Sequence, residues 1–84
     1  MLPPEISNYL NTRYYRYLDY AQYHASRVGT PDESLDILNE VLLSLHEKPE
    51  EKIVSLYNKK KDGYTGLDFF VLRMIRLNVY SFGE

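Results

Sequence analysis

Apolar side chains recur at three- and four-residue spacing along most of the chain, with polar residues between them, which is the pattern of amphipathic helices. The sharpest case is residues 30 to 46, TPDESLDILNEVLLSLH. Leu35, Leu38, Leu42 and Leu45 form an apolar stripe there, and Ile37 and Val41 widen it. Thr30 can cap, Pro31 suits the first helical position, and Glu33 can reach back to the cap amide. Together they predict a capping box and a helix that starts at Thr30. The opposite face carries Asp32, Glu33, Asp36, Asn39 and Glu40, an acidic and amide-bearing strip that adds little to packing and suits a basic partner.

The flanking pattern supplies three more helices. Pro3 and Pro4 precede a helix of about residues 5 to 28, in which Leu10, Tyr14, Tyr17, Leu18, Ala21, Ala25 and Val28 follow helical spacing and Gly29 suits the stop. Lys48 and Pro49 interrupt the second helix, and PEEKIVSLYNKKK restarts one, with acids in the first turn and lysines in the last as the helix dipole prefers. Ile53, Leu56 and Tyr57 give it an apolar edge. DGYTG reads as a turn, after which Thr65 and Asp68 supply a second capping box for a helix through about Tyr80. Leu67, Phe70, Val71, Met74, Ile75 and Leu77 are its apolar set. No strand pattern, repeat or low-complexity segment interrupts this, so the expectation is one domain over residues 1–84, a small all-α antiparallel bundle of about four helices.

The order D-I-L-N-E-V-L-L-S-L in the second helix resembles the second conserved region of bacterial RNA polymerase sigma factors, approximately D-L-x-Q-E-x-F-L-x-L, with Asp36, Asn39 and Glu40 in the D, Q and E places. Upstream, YYRYLDYAQYHASRVG is similar to that family's preceding helix, rich in aromatics and arginine and ending at a glycine. Downstream, FFVLRMIRLN is similar to its F-x-x-W-L-x-x-I-A-x-N helix, with Leu72, Ile75 and Asn78 in place, Val71 where tryptophan is usual and Arg76 where a small residue is usual. The resemblance spans about residues 12 to 80. It implies that Asp36, Asn39 and Glu40 dock on the arginine-rich clamp helices of the core RNA polymerase β-prime subunit. It also implies that the last helix faces promoter DNA, which makes Arg73 and Arg76 candidate nucleic-acid contacts.

Composition narrows the alternatives. With 84 residues the chain is too small for a catalytic domain plus a second module. The absence of cysteine rules out a disulfide framework and a thiolate zinc site and fits a cytoplasmic protein. The start MLPPEIS has no basic region followed by an apolar run, and no stretch is apolar enough to span a bilayer, so neither secretion nor membrane insertion is expected. A formal charge of −2 argues against general phosphate binding, so any nucleic-acid contact is local. Lys59, Lys60 and Lys61 are either a favourable charge at the end of their helix or phosphate contacts. His24 and His46 stand apart with no ligand spacing, the glycines are isolated and the serines lack an elbow or triad, so no enzyme, metal site or cofactor is expected.

Tyrosine is over-represented, with nine in the chain and six of them between Tyr9 and Tyr23. One buried stripe cannot use six, so Tyr9, Tyr15, Tyr20 and Tyr23 are expected partly in solvent or at an interface, with Arg13, Arg16 and Arg27 interleaved. Two functions of different class follow. One is a sigma-like module on core RNA polymerase; the other is a non-catalytic helical adaptor or structural protein, a homodimer through the tyrosine-rich first helix.

Overall fold

A computed structural model describes residues 2–82. Helix α1 (Pro4–Arg27) leads through a 3-10 turn (Pro31–Glu33) into α2 (Ser34–Glu47), then α3 (Glu50–Asn58). Two short strands, β1 (Lys60–Lys61) and β2 (Tyr64–Thr65), come before the last helix, α4 (Gly66–Phe82). The all-α bundle read from the apolar spacing is the fold, with a small antiparallel hairpin added to it.

Gly29, at φ 78°, takes the left-handed conformation that ends α1, and the chain doubles back. Helix α2 therefore runs antiparallel to α1, with Leu2 and Leu10 beside Leu42 and His46, and Tyr14 level with Asn39. The extended Lys48–Pro49 link redirects the chain without reversing it. The start of α2 lies beside Asn78 near the end of α4, while Leu56 of α3 backs onto Gly66 at its beginning. Helices α2 and α3 thus follow one another down the length of α4. That leaves α4 parallel to α1: Asp68 at its start meets Tyr9 and Tyr17, and Tyr80 near its end meets His24.

The core is assembled from one face of each helix. Ile6, Leu10, Tyr17 and Ala21 come from α1, Ile37, Leu38, Val41 and Leu45 from α2, Ile53 from α3, and Leu67, Val71, Ile75 and Val79 from α4. Each large apolar side chain removed from water here stabilises the fold by about 1.5–3 kcal/mol before the entropy of ordering is subtracted.

Four sequence expectations change. First, α2 does not start with a capping box at Thr30. The Thr30 hydroxyl turns back toward the Ala25 carbonyl at the end of α1, the Glu33 amide donates to the Thr30 carbonyl, and Ser34 Oγ donates to the Pro31 carbonyl at 2.6 Å. The tight reversal after α1 uses the threonine, and the entry to α2 becomes a 3-10 turn. Second, the apolar stripe of α2 is rotated: Leu35 is 48% exposed and the buried line is Ile37, Leu38, Val41 and Leu45. Third, Leu77 of α4 is exposed, and Val79 is buried in its stead.

Fourth, Lys60 and Lys61 are not the last turn of a helix but strand β1. Asp62 and Gly63 both have positive φ, 54° and 83°, as a two-residue type I′ turn requires, and the hairpin pairs Lys61 with Tyr64 and Lys60 with Thr65. The Asp-Gly pair is the sequence signal for that turn. Gly66 then donates to the Lys59 carbonyl at 2.6 Å, in a space so tight that a Cβ there would stand 2.8 Å from the Leu56 carbonyl oxygen.

Candidate functional site

Asp36, Asn39 and Glu40 all lie on the solvent face of α2 and line a shallow open groove of about 530 Å³, together with Glu33, Ile37, Leu43 and Asn78 of α4. Among the described residues the only ion pair in the molecule is Arg13 with Asp68, so neither Asp36 nor Glu40 is matched by a cation. The Tyr14 hydroxyl reaches Asn39 Oδ1 at 3.5 Å, the outer edge of hydrogen bonding, and leaves that amide largely free. Leu43 sits among these polar groups with 63% of its surface in water. Leucine count alone hides it, since it lies next to the stripe leucine Leu42. Placing each residue 100° around the helix puts Leu43 opposite the stripe and on the side of the acidic strip, at its C-terminal end.

The basic candidates do not form one cluster. Lys59, Lys60 and Lys61 are exposed, with Lys60 Nζ 5.1 Å above the Tyr57 ring, and Lys60 and Lys61 line a cleft with Tyr9, Tyr57 and Tyr64. Arg73 and Arg76 are exposed farther along α4, beside Phe69, Leu77 and Tyr80. Between these two groups lies a smaller cleft of about 180 Å³ that Arg13, Arg16 and Tyr20 of α1 share with Tyr64 and Leu72. The arginines of the first helix therefore do face aromatic rings: the Arg13 guanidinium lies 5.1 Å from the Tyr9 ring and 5.6 Å from the Tyr64 ring.

The four tyrosines expected partly in solvent all reach it. Tyr15 and Tyr23 are 77% and 58% exposed, while Tyr9 and Tyr20 are half-buried. Tyr20, Tyr23 and Tyr80 pack edge-on around His24, whose Nδ1 is 2.8 Å from the Tyr80 hydroxyl. Burial, then the charges of Arg27 and Arg76, hold this histidine below its ordinary pKa.

Asp68 has a larger role than the helix cap read from sequence. The cap itself forms: the Asp68 amide donates to Thr65 Oγ1 at 3.2 Å, and the Thr65 amide donates to Asp68 Oδ2 at 2.8 Å. The same carboxylate accepts from the Tyr17 hydroxyl at 2.6 Å and from the Tyr9 hydroxyl. Arg13 adds its charge at 3.9 Å and donates to the Gly63 carbonyl at 2.8 Å, clasping the hairpin turn. Burial alone would raise the Asp68 carboxyl. Donation from Tyr17, Tyr9 and the Thr65 amide, with the Arg13 charge, outweighs it and leaves the group below the usual carboxylate range. Burial and then the bond to Asp68 push the Tyr17 hydroxyl well above the ordinary tyrosine range. No single stretch of sequence announces this cluster, because its members are 51 and 59 residues apart.

Among the described residues no group of three or more His, Asp or Glu side chains is placed to hold a metal ion, and no helix is long and apolar enough to cross a membrane. No protein-family model, curated protein or solved structure matches the chain.

Proposed function

We propose that the protein is a sigma-region-two-like transcription module of the cytoplasm, in which the α2 strip docks on an arginine-rich helical surface of the β-prime subunit of core RNA polymerase. The observation that carries this reading is the company Asp36 and Glu40 keep. They are exposed carboxylates with no cation of their own among the described residues, on the same face of α2 as the exposed Leu43. Carboxylates of this kind form charge-assisted, bidentate bonds to arginine, and an exposed apolar side chain on the same face adds area that a partner can remove from water. Asn39, nearly free of internal bonding, supplies a further donor and acceptor on the same face. Arg73 and Arg76, with Lys59, Lys60 and Lys61, are exposed cations outside α2 that would meet promoter DNA once α2 is engaged.

The test is retention of core RNA polymerase by the purified protein, run beside an Asp36→Ala, Glu40→Ala double variant. Retention that the variant loses, with an unchanged melting temperature, supports docking through α2. No retention by the folded wild-type protein overturns it. The adaptor reading draws on a different observation, the exposed Tyr15 and Tyr23 on the outer side of α1. It requires a dimer that weakens when either tyrosine is replaced by alanine.

A further inference from the structure

The chain separates its charges along its length. Seven of its twelve carboxylates and one of its ten Lys and Arg side chains fall between residues 29 and 51, so this segment carries −6 and the remainder +4. The structure turns that separation into two faces. On α2, Asp36 and Glu40 share a face with the exposed Leu43, with Leu35, 48% exposed, at the edge. On α4, Arg73 and Arg76 stand among Phe69, Leu77 and Tyr80, all of them more than 40% exposed. Both faces mix exposed apolar side chains with charge, and the charges are opposite.

The two faces cannot neutralise each other inside one molecule. Asn78, which borders the α2 groove, lies about 200° around the helix axis from Arg76, on the other side of α4. Among the described residues no ion pair joins the two faces. The kind of surface proposed to suit α2, a helix bearing arginines beside apolar side chains, is therefore present on the chain itself.

We infer that a second copy of the chain occupies the α2 strip, with the Arg73–Arg76 face of α4 in one copy docking on the Asp36–Glu40 face of the next. The contact joins unlike surfaces, so it is head-to-tail and does not stop at a dimer. It depends on exposed charges and is weak and salt-sensitive. It also covers the strip that polymerase would use, so self-assembly holds the protein in a non-docking reserve at high concentration. This deepens the docking proposal and rests on it for the role of α2, while its test contains no polymerase.

The experiment is sedimentation equilibrium of the whole purified chain over a range of concentrations. At about 0.01 M salt, where the screening length is about 30 Å, the weight-average mass should climb with concentration beyond two chains of 10.0 kDa. At about 1 M salt, where that length is about 3 Å, it should return to one chain. An Asp36→Arg, Glu40→Arg variant and an Arg73→Glu, Arg76→Glu variant should each be monomeric at low salt, with wild-type circular dichroism. Mixed in equal amounts, they should associate, because each now offers what the other lost. A wild-type mass of one chain throughout, or a dimer untouched by both variants, overturns the inference. Assembly without polymerase retention would remove the docking proposal alone; retention without assembly would remove this inference alone.

Discussion

The chain contains two copies of the same short motif, Thr30-x-x-Glu33 and Thr65-x-x-Asp68, and the structure treats them in opposite ways. At Thr65 both reciprocal bonds of the capping box form, and the acidic residue is 1% exposed. At Thr30 neither side chain caps, and the threonine hydroxyl serves the end of the preceding helix. The difference lies in what stands opposite. Asp68 faces two tyrosine hydroxyls and an arginine from α1, which make a buried carboxylate tolerable. Glu33 faces an open groove. The carboxylate at the start of α4 ties two helices together, whereas those at the start of α2 stay in contact with solvent.

Removing Asp68 should show the contrast at its largest. Asp68→Ala strands the Tyr9 and Tyr17 hydroxyls and the Thr65 amide, and should cost about 3–5 kcal/mol in urea unfolding, if the variant folds at all. Tyr17→Phe removes a single buried donor to the charged group and should cost about 1.5–3 kcal/mol by the same measurement. Wild-type stability in place of these losses would mean that packing alone joins α1 to α4.

Acid sharpens the comparison further. Because Asp68 lies below its ordinary value of 3.8 in the folded state, its contribution is fully present above that value and is lost as pH falls below it. Urea midpoints measured between about pH 5 and pH 2 should therefore fall more steeply for wild type than for Asp68→Asn. Parallel curves would assign the acid sensitivity to other carboxylates.

The smallest effects belong to α2. Glu33→Ala, and Asp36→Ala with Glu40→Ala, should each change stability by no more than about 0.5 kcal/mol, since their side chains form no ion pair among the described residues. A large loss on thermal unfolding would show that the strip supports the fold after all and would remove its availability to a partner.

Between these extremes lies the hairpin, whose strain is local. Gly63→Ala places a Cβ at φ 83° and should destabilise by about 1 kcal/mol through the backbone alone, because the space around it is open. Gly66→Ala should cost more, since its Cβ would meet the Leu56 carbonyl oxygen.

The helices, their order and most of the core were legible in the sequence, because a 3.6-residue period and its interruptions at Gly29 and Lys48–Pro49 are local signals. The acidic strip was legible for the same reason: Asp36, Asn39 and Glu40 fall on the side of α2 that the apolar period leaves free. The hairpin carried a local signal as well, in Asp62-Gly63, but three lysines after an amphipathic run read equally well as the end of a helix. The burial of Lys60's partner Thr65 and the tight seat of Gly66 against α3 settle it, and these are contacts across the fold.

What the sequence determined by itself was the presence and order of four helices and roughly which side of each is apolar, since both follow from neighbours three and four residues away. Which of two similar capping motifs would close, how far around α2 the buried stripe would turn, and that α4 would lie parallel to α1 were decided only by tertiary structure. Each depends on groups dozens of residues distant, such as Tyr9 and Tyr17 reaching Asp68, that become neighbours only when the helices pack.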